Sequence, residues 1–206
     1  MKKNLIIFIL SIISIVPTQA GFGSGELLSG DILLQPLKCW SCSLIEEQEN
    51  SNFSHIGIVV NIDGKVMVAE AYGSVRLVTL EEFLKKTHPA KSVKARRLDY
   101  HFFNFENFEE KLKESIKSLL GNPYDRAFLW DNKINGKEAI YCSELVYKVI
   151  LPQVKFWDLN PKAMPFDVNP DLWDRYFRGE TPRGRLGVSP EDFNKSRDFF
   201  TLWNIN

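Results

Sequence analysis

The strongest constraint on the fold is a short segment, Asn61-Ile62-Asp63-Gly64, set between two apolar runs at residues 55–60 and 65–71. Asp-Gly between such runs signals a hairpin, because both residues tolerate the positive φ that a tight turn between twisted strands needs. An antiparallel pair follows, with side chains alternating between its two faces. If Asp63-Gly64 is a two-residue loop, Gly57 stands opposite Glu70; if the loop has four residues, His55 does. In both registers His55 and Glu70 share a face. A diagonal neighbour lies about 7–8 Å away, within reach of a long side chain. Glu70 can therefore hold the imidazole's tautomer and orientation, the role of the acid in a nucleophile–base–acid triad.

The nucleophile for such a triad comes from the second half of the chain. Tyr141-Cys142-Ser143-Glu144-Leu145-Val146 reads as the start of a helix that runs to about Ile150 and stops before Pro152. A thiol at a helix N-terminus sits in a positive field that favours the thiolate. The first-turn N–H groups, that of Cys142 among them, can receive a developing oxyanion. Ser143 and Glu144 are expected to serve that helix's own first turn. Cysteine arithmetic agrees: Cys39 and Cys42 lie close together in Cys39-Trp40-Ser41-Cys42 and can pair locally, which leaves Cys142 as a free thiol. Two cysteines without a nearby histidine make an incomplete zinc site, so neither a metal nor another cofactor is expected.

Further elements follow from pattern. Strands are expected at residues 30–35, 75–78 and 92–98. A short helix is expected within residues 43–48, and a second opens at Thr79-Leu80-Glu81-Glu82 with a capping box. Phe105, Phe108, Leu112, Ile116, Leu119 and Leu120 recur at helical spacing, with Gly121 where a C-terminal cap belongs. Pro123 can begin a short helix over residues 124–130. The last fifty residues, rich in Pro, Trp, Phe and Asp, read as an irregular extension of one domain spanning residues 21–206. The expected class is α+β, a small antiparallel sheet packed on helices.

Lys2 and Lys3 precede an apolar run at residues 5–16, and Thr18-Gln19-Ala20 supplies small residues at the −3 and −1 positions. This is the pattern of a secretory signal peptide, residues 1–20, cleaved after Ala20. The run is shorter than the roughly 20 residues that span a bilayer. A periplasmic or secreted protein without a stable membrane anchor after cleavage is expected. Lys+Arg and Asp+Glu both number 26, so nothing supports a nucleic-acid partner, which calls for a basic excess or patch.

Leu120-Gly121-Asn122-Pro123-Tyr124 followed by Cys142-Ser143-Glu144-Leu145-Val146 resembles the cysteine motif of NlpC-type papain-like cell-wall peptidases. Gly30-Asp31-Ile32-Leu33, Ser54-His55-Ile56-Gly57-Ile58-Val59 and Val68-Ala69-Glu70-Ala71 resemble that superfamily's histidine half. The cysteine half usually comes first; here it comes last. The chain therefore resembles the circularly permuted branch, which includes YiiX-like hydrolases and, more distantly, lecithin retinol acyltransferase. Tyr141 to Val146 and Val188-Ser189-Pro190-Glu191-Asp192 are similar to the YiiX-like members specifically. The resemblance implies a papain-like core, Cys142 as nucleophile and His55 as base. Glu70 falls at the third polar position, which is His, Asn or Gln in many relatives. Tyr124 matches a tyrosine that helps form the substrate pocket of peptidase relatives, although its distance to the cysteine is longer here. Tyr141 is placed with it as substrate-binding.

The leading expectation is an exported cysteine hydrolase that cleaves an amide, a peptidoglycan peptide or another small amide, through an acyl-enzyme. Three other readings stand beside it. One is a hydrolase or acyltransferase for lipid or thioester acyl groups. Another is a non-catalytic binding module. The last is disulfide exchange at Cys39 and Cys42, against which the few residues of mature chain before the first strand leave no room for a thioredoxin-like βαβ portion.

Overall fold

The hairpin anchors a six-stranded sheet. The computed structural model describes residues 27–99, 107–154 and 158–205; the expected signal peptide and Phe105 lie outside that range. In chain order the elements are β1 (Ile32–Gln35), α1 (Trp40–Glu49), β2 (His55–Ile62), β3 (Lys65–Tyr72), β4 (Ser74–Thr79), α2 (Leu80–Leu84), β5 (Val93–Leu98) and α3 (Phe108–Leu119). A two-stranded ribbon, β6 (Lys133–Ile134) and β7 (Lys137–Glu138), leads to α4 (Cys142–Ile150). After it come β8 (Lys162–Ala163), α5 (Pro170–Tyr176), β9 (Leu186–Gly187), α6 (Pro190–Lys195) and β10 (Phe199–Ile205).

The main sheet runs β10-β5-β1-β2-β3-β4, with every pair antiparallel. Ile62 pairs with Lys65 and Ile58 with Ala69, so the loop is the two-residue Asp63-Gly64 turn. Both of its residues have positive φ, 50° and 74°, as a type I′ turn demands. Period-two alternation then sorts the hairpin. Ile56, Ile58, Val60, Ala69 and Ala71 bury against Leu112 and Ile116 of α3 and Leu145, Val146 and Val149 of α4. Val59 and Val68 face the other way, with Leu33, Val78, Val93 and Ala95, onto Phe83 of α2.

Four expectations are corrected. Residues 124–130 form no helix: Asp125 accepts hydrogen bonds from the N–H groups of Ala127 (2.9 Å) and Leu129 (2.7 Å). Those local bonds compete with helical ones, and Tyr124 bridges to Ile140 instead. The final fifty residues are not irregular: they contain α5 and α6, and β10 completes one edge of the main sheet. The first helix is longer than residues 43–48, because Cys39 acts as its N-cap, its sulfur accepting from Cys42 N–H at 3.1 Å. At α2, Thr79 caps Glu82 N–H (3.1 Å), while the Glu82 carboxylate faces Arg76 at 3.5 Å.

Gly57 marks the tightest layer. A Cβ built there would meet Val68 Cγ1 at 2.6 Å and Phe83 Cε2 at 2.8 Å. Gly57→Ala is expected to destabilise the protein by about 1–3 kcal/mol through overpacking, read as a lower urea midpoint with an unchanged m-value. An unchanged midpoint would mean that α2 is free to move off the sheet.

Candidate active site

His55 is the first residue of β2 and is 2% exposed. By register it shares a face with Gly57 and Glu70, and its ring stacks on Phe83 of α2 at 5.7 Å between centroids. Tyr72 meets it edge-on at 6.0 Å. The Nε2 atom lies 2.7 Å from Glu70 Oε2. Glu70 has no exposure, and a buried lone carboxylate is costly unless paired. Its two oxygens divide the work. Oε2 takes His55, while Oε1 accepts from Arg76 Nη2 (2.8 Å) and Nε (3.2 Å) and from Lys86 Nζ.

Cys142 is the first residue of α4, buried at 5% exposure. This helix packs on the opposite face of the hairpin. Because His55 ends its strand, the imidazole still reaches the helix N-terminus, near enough to the Cys142 side chain for the sulfur to favour its charged form. With Nε2 taken by Glu70, Nδ1 is the nitrogen left for sulfur. The N-cap residue, Tyr141, gives no side-chain acceptor to the first turn, so orphan N–H groups remain there.

The electrostatics follow from these contacts. Burial disfavours the imidazolium, but the hydrogen bonds to Cys142 and Glu70 and the charges of both outweigh it, and the His55 pKa is pushed up to about 9. Burial also opposes ionisation of Glu70. The bond to His55, its charge, and Lys86 prevail and hold that carboxyl down at about 2.

The late Val188-Ser189-Pro190-Glu191-Asp192 segment clamps this helix start. Ser143 Oγ donates to Val188 O (2.8 Å), and Val188 N–H donates to Tyr141 Oη (3.1 Å). Ser189 and Asp192 form a capping box that opens α6. Ser143 thus reaches outward instead of serving its own turn, whereas Glu144 serves it as expected, accepting from the backbone of the N-cap residue Tyr141. Glu144 accepts from Asp131 N–H (3.2 Å) and pairs with Lys148 (2.8 Å). Burial outweighs the effect of Lys148 and raises the Glu144 pKa to about 7.

Two adjoining spaces meet at this pair. One, with about 470 Å³ of empty volume, is lined by Cys142 and by Tyr124, Phe128, Tyr141, Met164 and Phe166, among others. The second, with about 970 Å³, is lined by His55, Tyr72, Lys86, Arg126, Tyr124 and the Cys39–Cys42 pair. Tyr124 borders both spaces. Tyr141 borders the first through its ring, 5.6 Å from Phe128, while its hydroxyl is held by Val188. Cys39 and Cys42 are disulfide-bonded, and Cys142 is a free thiol.

Sequence reasoning missed Arg76, Lys86, Phe83 and Arg126. Arg76 carried a usable signal, since a hairpin over Gly73 pairs it directly with Glu70. The others converge only through tertiary packing.

Residues 26–201 match the family of permuted papain-like amidase enzymes, YaeF/YiiX, C92 family. The uncharacterized protein YiiX of Escherichia coli strain K12 is 32% identical over 149 residues, covering 72% of this chain and 67% of that one. The crystal structure of metalloprotein yiiX from Escherichia coli O157:H7 superposes with a TM-score of 0.73 at 23% identity. It covers 85% of this chain and 96% of its own. The fold is accordingly the permuted papain-like one, with the histidine strand ahead of the cysteine helix.

The His55 titration is directly measurable. In an NMR pH series its imidazole resonance is expected to titrate near pH 9, and substantially lower in Cys142→Ala, where burial persists but the sulfur contributions are gone. A folded pKa above the unfolded value of 6.5 stabilises the fold fully below about pH 6.5. That contribution is lost as pH rises through about 9. A wild-type midpoint at or below 6.5 would contradict the site's charge arrangement.

Proposed function

Since the chain belongs to the permuted papain-like amidase family, we propose that it cleaves an amide bond with Cys142 as nucleophile, His55 as proton shuttle and Glu70 as the residue that orients His55. The observation carrying this reading is the buried chain of contacts from the Cys142 side chain through His55 to Glu70. Glu70 takes the Nε2 proton in a hydrogen bond, which fixes the ring and leaves Nδ1 to receive the thiol proton. The thiolate attacks the carbonyl carbon, and the carbonyl oxygen becomes an oxyanion facing the first-turn N–H groups of α4. As the C–N bond breaks, His55 delivers its proton to the departing amine. Water then attacks the thioester, giving a proton to His55, and the C–S bond breaks to release the acid and the thiol.

No metal takes part in this scheme. Among the described residues the carboxylates of Asp131, Glu138 and Glu144 converge, but the ammonium of Lys148 bonds all three. That ammonium offsets one of the three carboxylate charges and occupies the point where they converge, so a metal ion would have to displace Lys148.

Export is part of the proposal. The N-terminal pattern of charge, apolar run and small residues supports it, as does the Cys39–Cys42 disulfide, which suits an oxidising compartment. Among the described residues no helix is long and apolar enough to cross a membrane.

Iodoacetamide labelling followed by mass spectrometry tests the nucleophile. Cys142 is expected to alkylate far faster than a free thiol in the wild type and at least about tenfold more slowly in His55→Ala. Labelling at the free-thiol rate in both proteins would end the catalytic reading. For amide cleavage, the rate is expected to fall as pH rises through about 9, where His55 loses the proton it must give to the amine. Glu70→Gln should lower kcat by about 10²–10⁴-fold and move that alkaline limb to lower pH. A limb that stays put would remove Glu70 from the proton-transfer chain.

A further inference from the structure

The two spaces at the active site differ in chemistry, and the mechanism assigns each to one half of the substrate. His55 must protonate the departing amine, so the amine and its substituent lie in the space that His55 lines. The acyl substituent lies on the other side, in the space lined by Cys142 and not by His55. The acyl side is largely apolar, with Phe128, Met164, Phe166, Trp173 and Val188 in its wall. Its rim carries one carboxylate, Glu49, which accepts from Ser189 Oγ at 2.9 Å.

The amine side is lined by Lys38, Lys86 and Arg126 and by no Asp or Glu. This asymmetry occurs in a chain whose charges otherwise balance. Lys86 is committed to Glu70. Lys38 and Arg126 are exposed and, among the described residues, have no hydrogen-bond or ion-pair partner. The Arg126 guanidinium is near enough to Tyr124 and Tyr176 for both phenols to feel its charge. Its neighbour Asp125 is buried and turned away, accepting from Ala127 N–H, Leu129 N–H and Asn132 Nδ2. A cation held beside a reaction centre, with no protein carboxylate to neutralise it, is a ready site for a substrate anion.

We propose that the substrate is an N-acyl amine with an apolar acyl chain and a negatively charged amine portion, whose anion is bound by Arg126 with support from Lys38. Arg126 is then the residue that sets specificity for the leaving group. The inference rests on the Cys142–His55 hydrolase reading for the direction in which the substrate lies.

The test compares three octanoyl amides: octanoyl-glutamate, octanoyl-phosphoethanolamine and the uncharged octanoyl-glutamine amide. The charged amides are expected to show kcat/KM at least about tenfold above the neutral one, and the better of the two identifies carboxylate or phosphate as the preferred anion. In Arg126→Ala that charged-to-neutral ratio should fall about tenfold, with the loss carried by KM, and in Arg126→Glu it should invert. Acetyl-glutamate should be a poorer substrate than octanoyl-glutamate. Equal rates for charged and neutral amides in the wild type would overturn the inference and leave the hydrolase reading intact. Calorimetric binding of octanoyl-glutamate to Cys142→Ala separates the two ideas further. Binding that Arg126→Glu abolishes, without turnover by the wild type, sustains the recognition site and sinks the hydrolase. Neither binding nor turnover of any arm sinks the recognition site.

Discussion

A fully buried carboxylate, Glu70, is the constraint around which the active-site end of the molecule is organised. An unpaired charge in that position would cost several kcal/mol. Three cationic groups share the load, and they do so by oxygen. Arg76 and Lys86 meet Oε1, which leaves Oε2 wholly to His55. The division matters because Arg76 and Lys86 keep Glu70 ionised without displacing the imidazole. An anion held in that way favours the charged ring, and the sulfur on the ring's other side pulls in the same direction. The aromatic bed strengthens the arrangement: Phe83 stacks on one face of the ring and Tyr72 meets it edge-on. Lys86 sits 4.8 Å from the Tyr72 ring centre, which helps to hold the ammonium over the site.

Topology makes these contacts possible. A two-residue turn sets His55 and Glu70 one diagonal apart on one face, while the opposite face presents Ile56, Ile58 and Ala69 to α4. The helix is thus placed by apolar packing, and its N-terminus by polar contacts. Tyr141 and Ser143, on either side of Cys142, each bond one backbone group of Val188. The segment containing Val188 is fixed in turn through Ser189 on Glu49 (2.9 Å) and through Ser51 on Glu191 (2.5 Å). Early, middle and late parts of the chain therefore meet at one cysteine. Gly187 belongs to the same clamp: a Cβ there would come within 3.0 Å of Tyr141 Oη.

The hairpin, its facing and the helix at Cys142 could be read from sequence because each is set by neighbours within a few residues. Period-two alternation places His55 with Glu70 whether the loop has two residues or four. Helical spacing places Leu112 and Ile116 on one stripe, and both are buried. Residues 124–130 could not be read in that way. Pro123 suits a helix start, but Asp125 captures two local N–H groups, and Phe128 takes a φ of 50°. What decides between the two conformations is the pairing of Tyr124 with Ile140 and of Pro123 with Ser74, a long-range matter. The C-terminal strand was hidden for a related reason. Phe199–Ile205 is a strand because β5 offers it an open edge, with a register shift between Thr201 and Trp203, and an irregular register blurs alternation. The pocket beside Cys142 gathers Phe166 and Trp173 from the same late stretch, where aromatic content by itself could not distinguish pocket from core.

The disulfide fits this scheme as a local brace. Closing a loop this short contributes only about 2 kcal/mol by chain entropy, small beside the cost of mispairing Glu70. Its position is more telling than its strength. It fixes the first turn of α1, the helix whose Glu46 accepts from Ser54 Oγ at 2.9 Å, and Ser54 Oγ in turn accepts from Leu37 N–H at 3.0 Å. Ser54 immediately precedes His55. The backbone entering the imidazole is therefore tied on one side to the braced helix and on the other to the segment just after β1. His55 opens its strand paired with Gln35, and the Ser54 N–H just before it donates to Gln35 O at 3.2 Å. The Ser54 side-chain bonds add to that backbone pairing, and together they let a strand end carry a group that must hold its geometry against both sulfur and carboxylate.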